Sequence, residues 1–254
     1  MSLAGIALIV VAVFLFRRAR KAGAQIRAMT ATPTLRVAQL EQMRRMVPRP
    51  RPEGGFRKIT EVIGAAQPGA GGLLTSELSK TPCVWYSYRV RRRYWFRSGK
   101  WHHRKRWETV AEGQAPSSFV LVDPQRRPIE LVADGARPEA VEKPVDSYQT
   151  DFRAETVEFL GLQWPRGRGT LGFHYEEWII RPGTWLYVLG EARDVTGSLV
   201  IGKPEDGSDF IIAAKPEGEL RAGRGRRHRL LGAAACALVL VGLALIVTEF
   251  WIMA

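Results

Sequence analysis

The chain has 254 residues, a formal charge of +13 and two cysteines, Cys83 and Cys236. Cys236 lies in a long apolar run, so the central region has no internal disulfide, and a reducing compartment is its natural setting. Residues 17–52 hold ten Arg or Lys against one Glu and 221–229 hold five Arg, whereas 53–220 balance 23 basic with 23 acidic side chains. The excess charge therefore flanks two apolar segments, which argues against a broadly cationic nucleic-acid-binding domain; near an anionic leaflet each such residue gains about 1 kcal/mol.

The first apolar segment runs from Leu3 to Phe16 and is followed by Arg17, Arg18, Arg20 and Lys21. The second runs from Leu230 to Val247 and is preceded by Arg221, Arg224, Arg226, Arg227 and Arg229. Both basic flanks face the middle of the chain, so the positive-inside bias predicts two transmembrane helices, a cytoplasmic central domain and both termini outside. The second segment has eighteen residues, a rise of about 27 Å and close to one hydrocarbon core. Trp251 follows it at interfacial depth, and Glu249 marks where the apolar run ends. The first segment is shorter, and its alternative reading is a cleaved signal peptide. No basic residue precedes it, no A-x-A-like site lies before the charges, and the arginines stand on the stop-transfer side, all of which favour a retained anchor over residues 1–21. An Arg-, Ala- and Gly-rich composition suggests a bacterial plasma membrane.

Residues 22–55 read as a juxtamembrane helix and a linker. Thr32 is a suitable N-cap with Pro33 at the first helical position, and Val37, Leu40, Met43 and Met46 follow at helical spacing. That stripe is expected to pack on its own domain or lie at the membrane surface. The P-R-P-R-P-E-G-G run from Pro48 to Gly55 then breaks the helix.

From residue 56 to 220 the signals are short strands separated by Gly, Pro, Asp and Ser. Expected strands are Phe56 to Ile63, Cys83 to Phe96, Trp101 to Val110, Ser118 to Val122, Ile129 to Val132, Phe173 to Ile180, Trp185 to Ala192, Leu199 to Ile201 and Phe210 to Ala213. With no alternating long helices, the fold class is mainly β: an antiparallel barrel or sandwich-like domain between an N-terminal and a C-terminal transmembrane helix. Residues 221–254 form the second basic flank and anchor.

Tyr88 to Trp107 read as a long hairpin turning at Ser98-Gly99, with nine Arg or Lys and no acid. Tyr86, Tyr88, Val90, Tyr94 and Phe96 share one face, interrupted by Arg92, and Arg89, Arg91, Arg93 and Arg97 share the other, where they can reach solvent. Interleaved aromatic and basic side chains suit single-stranded nucleic acid, but the charge is also open to pairing with the acidic remainder of the domain or with lipid headgroups. Self-pairing is the favoured reading and nucleic acid the least favoured. As a partner or lipid surface the candidates are Arg91, Arg93, Trp95, Arg97, Trp101 and Arg104, since Trp and Arg most often anchor interfaces.

No catalytic, cofactor-binding or metal-binding residue is assigned. His102 and His103 are adjacent and point to opposite faces of a strand, and Cys83 and His174 lack zinc-site spacing. Cys83 reads as a small buried hydrophobe. Glu176 and Glu177 are successive strand residues that do not converge on one bond; one is expected to be exposed and the other to form an ion pair or cap a loop. Asp206, Gly207 and Asp209 read as a turn between strands.

The ordered set G-A-A-Q-P-G-A-G-G-L-L-T-S-E-L-S-K-T-P-C-V-W-Y-S-Y at Gly64 to Tyr88, S-F-V-L-V-D at Ser118 to Asp123, Y-E-E-W-I-I-R-P-G-T-W-L-Y-V-L-G-E-A at Tyr175 to Ala192 and F-I-I-A at Phe210 to Ala213 resembles the GIDE family. The resemblance covers roughly residues 30 to 250. It implies a domain called BAM, "beside a membrane", set between two spans, and its animal representative is a mitochondrially anchored RING-type E3 ubiquitin ligase. A RING holds two zinc ions with eight Cys or His ligands, and this sequence has two Cys and four His. The expectation is therefore a non-catalytic domain without cofactor that binds a protein or lipid partner at the membrane. The alternative is a ubiquitin transferase-like role.

Overall fold

The computed structural model describes residues 3–47, 55–98, 102–115, 118–136, 138–150, 156–159, 162–165, 169–195, 197–215 and 217–253. Helices α1 (Leu3–Ala31) and α2 (Val37–Met46) precede β1 (Arg57–Gln67), β2 (Leu74–Thr75), β3 (Pro82–Cys83), β4 (Trp85–Ser98) and β5 (His102–Gln114). Then come β6 (Phe119–Val122), β7 (Pro128–Leu131), β8 (Glu142–Gln149), β9 (Thr156–Phe159), β10 (Leu162–Pro165) and β11 (Thr170–Ile180). Strands β12 (Trp185–Val195), β13 (Ser198–Gly202) and β14 (Ile211–Ala213) lead into α3 (Glu217–Met253).

Five strands close a barrel in the order β1-β6-β7-β13-β12 and back to β1, with β14 added beside β13 on the same edge of β12. Numbered along the chain, the ring runs 1-2-3-5-4-1, and its one parallel contact joins β7 to β13. That is the connectivity of the Greek-key barrel known as the OB-fold. The expected barrel is thus present, but its strands are not all antiparallel. The 3–5 contact follows from the long excursion between β7 and β12, which returns the chain on the far side of the ring. At Gly64, where β1 passes from β12 to β6, a Cβ would stand 2.5 Å from the carbonyl oxygen of Val122. Only glycine allows so close an approach.

The barrel is filled by Val62, Phe119, Leu121, Ile129, Leu131, Leu186, Val188 and Ile201, with Val37 and Leu40 of α2 joining the same cluster. Each such side chain contributes about 1.5–3 kcal/mol on burial. Trp85 and Ile180, at the neighbouring ends of β4 and β11, extend this core into a second sheet. That sheet, in the order β5-β4-β11-β8, is antiparallel throughout and is made from two insertions between barrel strands, 68–118 and 132–184. Strand β8 has no counterpart among the predicted strands. It contains Pro144 and is mostly exposed, as an edge strand tolerates and a sequence pattern conceals.

The approach to the barrel differs from the expected helix restart. Helix α1 continues to Ala31, Pro33 to Leu35 are extended, and α2 begins only at Val37. Pro33 O accepts from Glu61 N–H at 3.3 Å and Leu35 N–H donates to Glu61 O at 2.9 Å, so barrel strand β1 recruits this segment before a helix can start there. Thr32 is therefore not the N-cap. The first amide of α2, Val37 N–H, instead donates to Asp123 Oδ2 at 3.2 Å from the β6–β7 turn, a tertiary substitute for a local cap. Of the apolar stripe, Val37 and Leu40 are buried, whereas Met43 and Met46 are 38% and 69% exposed.

Among the described residues one helix is long and apolar enough to cross a membrane, the His228–Thr248 portion of α3, with 21 residues and a mean hydropathy of 2.8. It contains the predicted Leu230 to Val247 segment. Helix α1, holding Leu3 to Phe16, does not reach that threshold. The two helices pack antiparallel: Ala12 and Val13 lie near Ala235 and Val239, and nearer the β domain His228 Nδ1–H donates to Ala19 O at 2.8 Å. Ala12, Ala19 and Ala235 are buried in the seam, while Val10, Phe14, Phe16, Leu240, Val241 and Val247 face outward.

Candidate functional site

The predicted hairpin forms, and its alternation holds. Strand β4 places Arg89, Arg91, Arg93 and Trp95 on one face of the second sheet, where β11 adds His174, Glu176 and Trp178 and β8 adds Lys143, Asp146 and Tyr148. Arg91 Nη2 lies 2.8 Å from Glu176 Oε2 and 3.1 Å from His174 Nδ1. Because a guanidinium only donates, His174 Nδ1 accepts and Nε2–H donates to Asp146 Oδ1 at 2.7 Å. Lys143 completes the cluster at 2.7 Å from Asp146 and 2.9 Å from Glu176.

The charges shift one another. Burial opposes ionisation of Glu176, yet Lys143, Arg91 and His174 outweigh it and hold the carboxyl below its usual range. Hydrogen bonds from Lys143 and His174 lower Asp146. Burial also opposes the Lys143 charge, and its two carboxylate partners more than reverse that, raising it. Asp146, His174 and Glu176 bring three potential ligand atoms within 4.8 Å of one another, a grouping no sequence spacing announced. Arg91 and Lys143 already occupy those carboxylates, so the donor set fits an ion-pair network better than a cation site.

Aromatic rings cover this network. Trp107 of β5 lies 5.9 Å from the ring of Tyr148 and 6.0 Å from that of His174, and Arg91 and Arg93 lie 5.3 and 5.4 Å from its centroid. A cavity of about 460 Å³ opens beside it, lined by Trp85, Tyr88, Arg89, Glu112, Gln114 and Trp178 among others. Of the six candidate surface residues, Arg91, Arg93 and Trp95 thus share a face. Arg104 is on the opposite one, since it pairs with Phe96. Arg97 and Trp101, and with them the His102 and His103 side chains, lie outside the described side chains. Arg91 is not simply solvated: Glu176 neutralises it, as Glu112 and Glu108 do Arg89 and Arg92 at 3.5 and 2.8 Å.

Glu176 and Glu177 do take opposite faces, but neither is exposed. Glu177 is fully buried and gathers the 76–81 loop: Leu78 N–H and Ser79 N–H donate to it at 2.6 and 2.9 Å, and the hydroxyls of Ser76 and Ser79 at 3.1 and 2.5 Å. That loop is the T-S-E-L-S-K-T stretch of the motif set, so two motifs distant in sequence meet at one carboxylate. Cys83, next to it, is buried, and burial together with Glu177 pushes its thiol up to about 11. Asp206 accepts from Ser208 N–H at 2.8 Å with Gly207 at φ +76°, a turn.

A family model described as GIDE, E3 Ubiquitin ligase, matches residues 87–247, more than half of the chain. The chain belongs to the GIDE family. The match begins within β4 and ends within α3, so this GIDE chain shares with its family the second sheet, most of the barrel and the helix that follows. No match was found among curated proteins or solved structures.

Proposed function

We propose that this GIDE protein is a two-span membrane anchor that holds a non-catalytic β domain at the cytoplasmic face, where the Arg91, Arg93 and Trp95 face receives a partner. The observation that carries the reading is the α1–α3 pairing. The helices meet through alanines and turn Val10, Phe14, Phe16, Leu240, Val241 and Val247 outward, a solution suited to lipid, where small residues allow close approach and apolar side chains need no cover. The antiparallel arrangement supports both termini on one side, and the arginine clusters support the β domain on the other. Although the apolar stretch of α1 is short as a span, snorkelling of its flanking Arg17, Arg18, Arg20 and Lys21 and its packing on α3 accommodate such a mismatch.

Carbonate extraction of membranes and protease added to intact cells test this. The chain should stay in the membrane and its β domain should be spared; a domain cut from outside, or a chain released by carbonate, overturns the topology.

The family description favours a second reading, a ubiquitin transferase role. The sequence supplies two Cys and four His where a RING takes eight ligands, so such activity would draw its zinc ligands from outside these residues. An in vitro conjugation assay on the purified protein separates the readings, since transfer by this chain alone would displace the first.

A further inference from the structure

We infer that the outer part of the β4–β5 hairpin, Arg93 to Phe96 and Arg104 to Trp107, is an insertion element for anionic phospholipid headgroups, an inference that rests on the membrane-anchored reading. The cations of this hairpin fall into two groups. Near its base, Arg89, Arg91 and Arg92 have Glu112, Glu176 and Glu108 as partners. Further out, Arg93, Arg104, Lys105 and Arg106 have no carboxylate partner among the described residues, and the sequence holds no acid between Val90 and Trp107. Three of these cations rest on rings instead: Arg93 on Trp107, Lys105 on Trp95 at 5.0 Å and Arg106 on Phe96 at 4.2 Å.

The supporting sheet ends where this second group begins. Strand β11 pairs with β4 only as far as Tyr94, while β4 and β5 continue together to Ser98 and His102. A two-stranded ribbon is marginal in water by itself, and this one leaves Trp95 41% and Phe96 36% exposed, with Trp107 at its base 46% exposed. Its two faces are chemically alike: Arg93, Trp95, Lys105 and Trp107 lie on one, Tyr94, Phe96, Arg104 and Arg106 on the other. A nucleic-acid strand or a protein groove uses one face. A headgroup layer surrounds the ribbon, offering phosphate to cations on both sides and an interface that favours indole rings.

The hairpin is longer than the helical stretch that separates the β domain from the apolar part of α3. Helix α3 leaves the β domain at Glu217 and enters its apolar stretch at His228, a rise of roughly 16 Å. Strand β4 extends roughly 43 Å from Trp85 to Ser98.

The test uses the full chain, carrying Cys236→Ala and a Ser98→Cys substitution labelled with a nitrobenzoxadiazole dye. It is reconstituted in nanodiscs of phosphatidylcholine, alone or mixed with phosphatidylglycerol. The expected result is a blue shift, with quenching by headgroup spin-labelled lipid, in the anionic discs only. Lys105→Gln and Arg106→Gln should each lower the ratio of inserted to free ribbon roughly fivefold, the ratio equivalent to about 1 kcal/mol per cation. Trp95→Ala with Phe96→Ala should lower it as well without loss of the β-sheet circular dichroism signal. A chain that enters discs but keeps a solvent-exposed dye in both lipids overturns this inference alone. A chain that does not enter them overturns the anchored reading and this one with it. Loss of the blue shift on adding a single-stranded oligonucleotide also overturns it, assigning the ribbon to nucleic acid.

Discussion

Glu177→Ala is the sharpest probe of how the GIDE motifs cooperate. The side chain is fully buried and accepts from two backbone amides and two hydroxyls of the 76–81 loop. The hydroxyls can satisfy one another, since Ser76 Oγ is already 2.9 Å from Ser79 Oγ, and Ser79 Oγ, 2.8 Å from Thr81 Oγ1, can turn its proton there once the carboxylate is gone. The amides of Leu78 and Ser79 have no such recourse. At about 1–3 kcal/mol for each donor left unsatisfied, the loop loses roughly 3 kcal/mol, which is a large share of a domain's net stability of about 5–15 kcal/mol. Cys83 reports the loss directly, because it is buried and pairs with Leu74 across the hairpin that carries this loop. With its thiol pushed up to about 11 in the closed state, maleimide reaction near pH 8 proceeds through opening of the loop. In a Cys236→Ala background, the labelling rate should rise by about two orders of magnitude in Glu177→Ala and by about tenfold in Glu177→Gln, which keeps one acceptor oxygen. A rate within about threefold of the parent would show that Glu177 does not hold the loop.

The other predictions concern the charge network, α2 and the helix pair. Glu176 and Asp146 have folded values lowered from 4.5 and 3.8, so their contribution is complete above those values and is lost as pH falls through the still lower folded ones. Tryptophan fluorescence from Trp107 and Trp178 should therefore change reversibly in that acid range, and Glu176→Gln should remove much of the change. Asp123→Ala removes the acceptor for Val37 N–H and, at Oδ1, for the Gln125 and Arg127 N–H groups of the β6–β7 turn; loss of the α2 cap alone should cost about 1–2 kcal/mol, and hydrogen exchange should quicken in α2 and in that turn, with β12 and β13 less affected. Ala19→Leu places a large side chain in the α1–α3 seam, where Ala19 is buried and its carbonyl accepts from His228. It should cost about 1–3 kcal/mol, read as earlier loss of helix on titrating a denaturing detergent.

Much of this molecule was legible along the chain because the relevant patterns are local. Apolar run length and flanking arginines mark the terminal segments. Two-residue alternation marks β4, β5, β11 and β12 and separates Glu176 from Glu177, since successive strand side chains must diverge. What local patterning could not supply is which strands meet. Closure of the ring by β1 and β12 pairs residues 120 to 136 apart in sequence, the parallel β7–β13 contact pairs residues 70 apart, and β8, with its proline and its polar side chains, was invisible until it had β11 to pair with. The same reason governs the site. Asp146, His174, Glu176, Arg91 and Lys143 come from three strands, so no spacing links them, and the start of α2 was decided by a carboxylate 86 residues away. Composition and periodicity thus determined the apolar terminal segments and the β character of this GIDE chain. Only tertiary structure decided which charges pair with one another, because ion pairing depends on distance in space rather than along the chain.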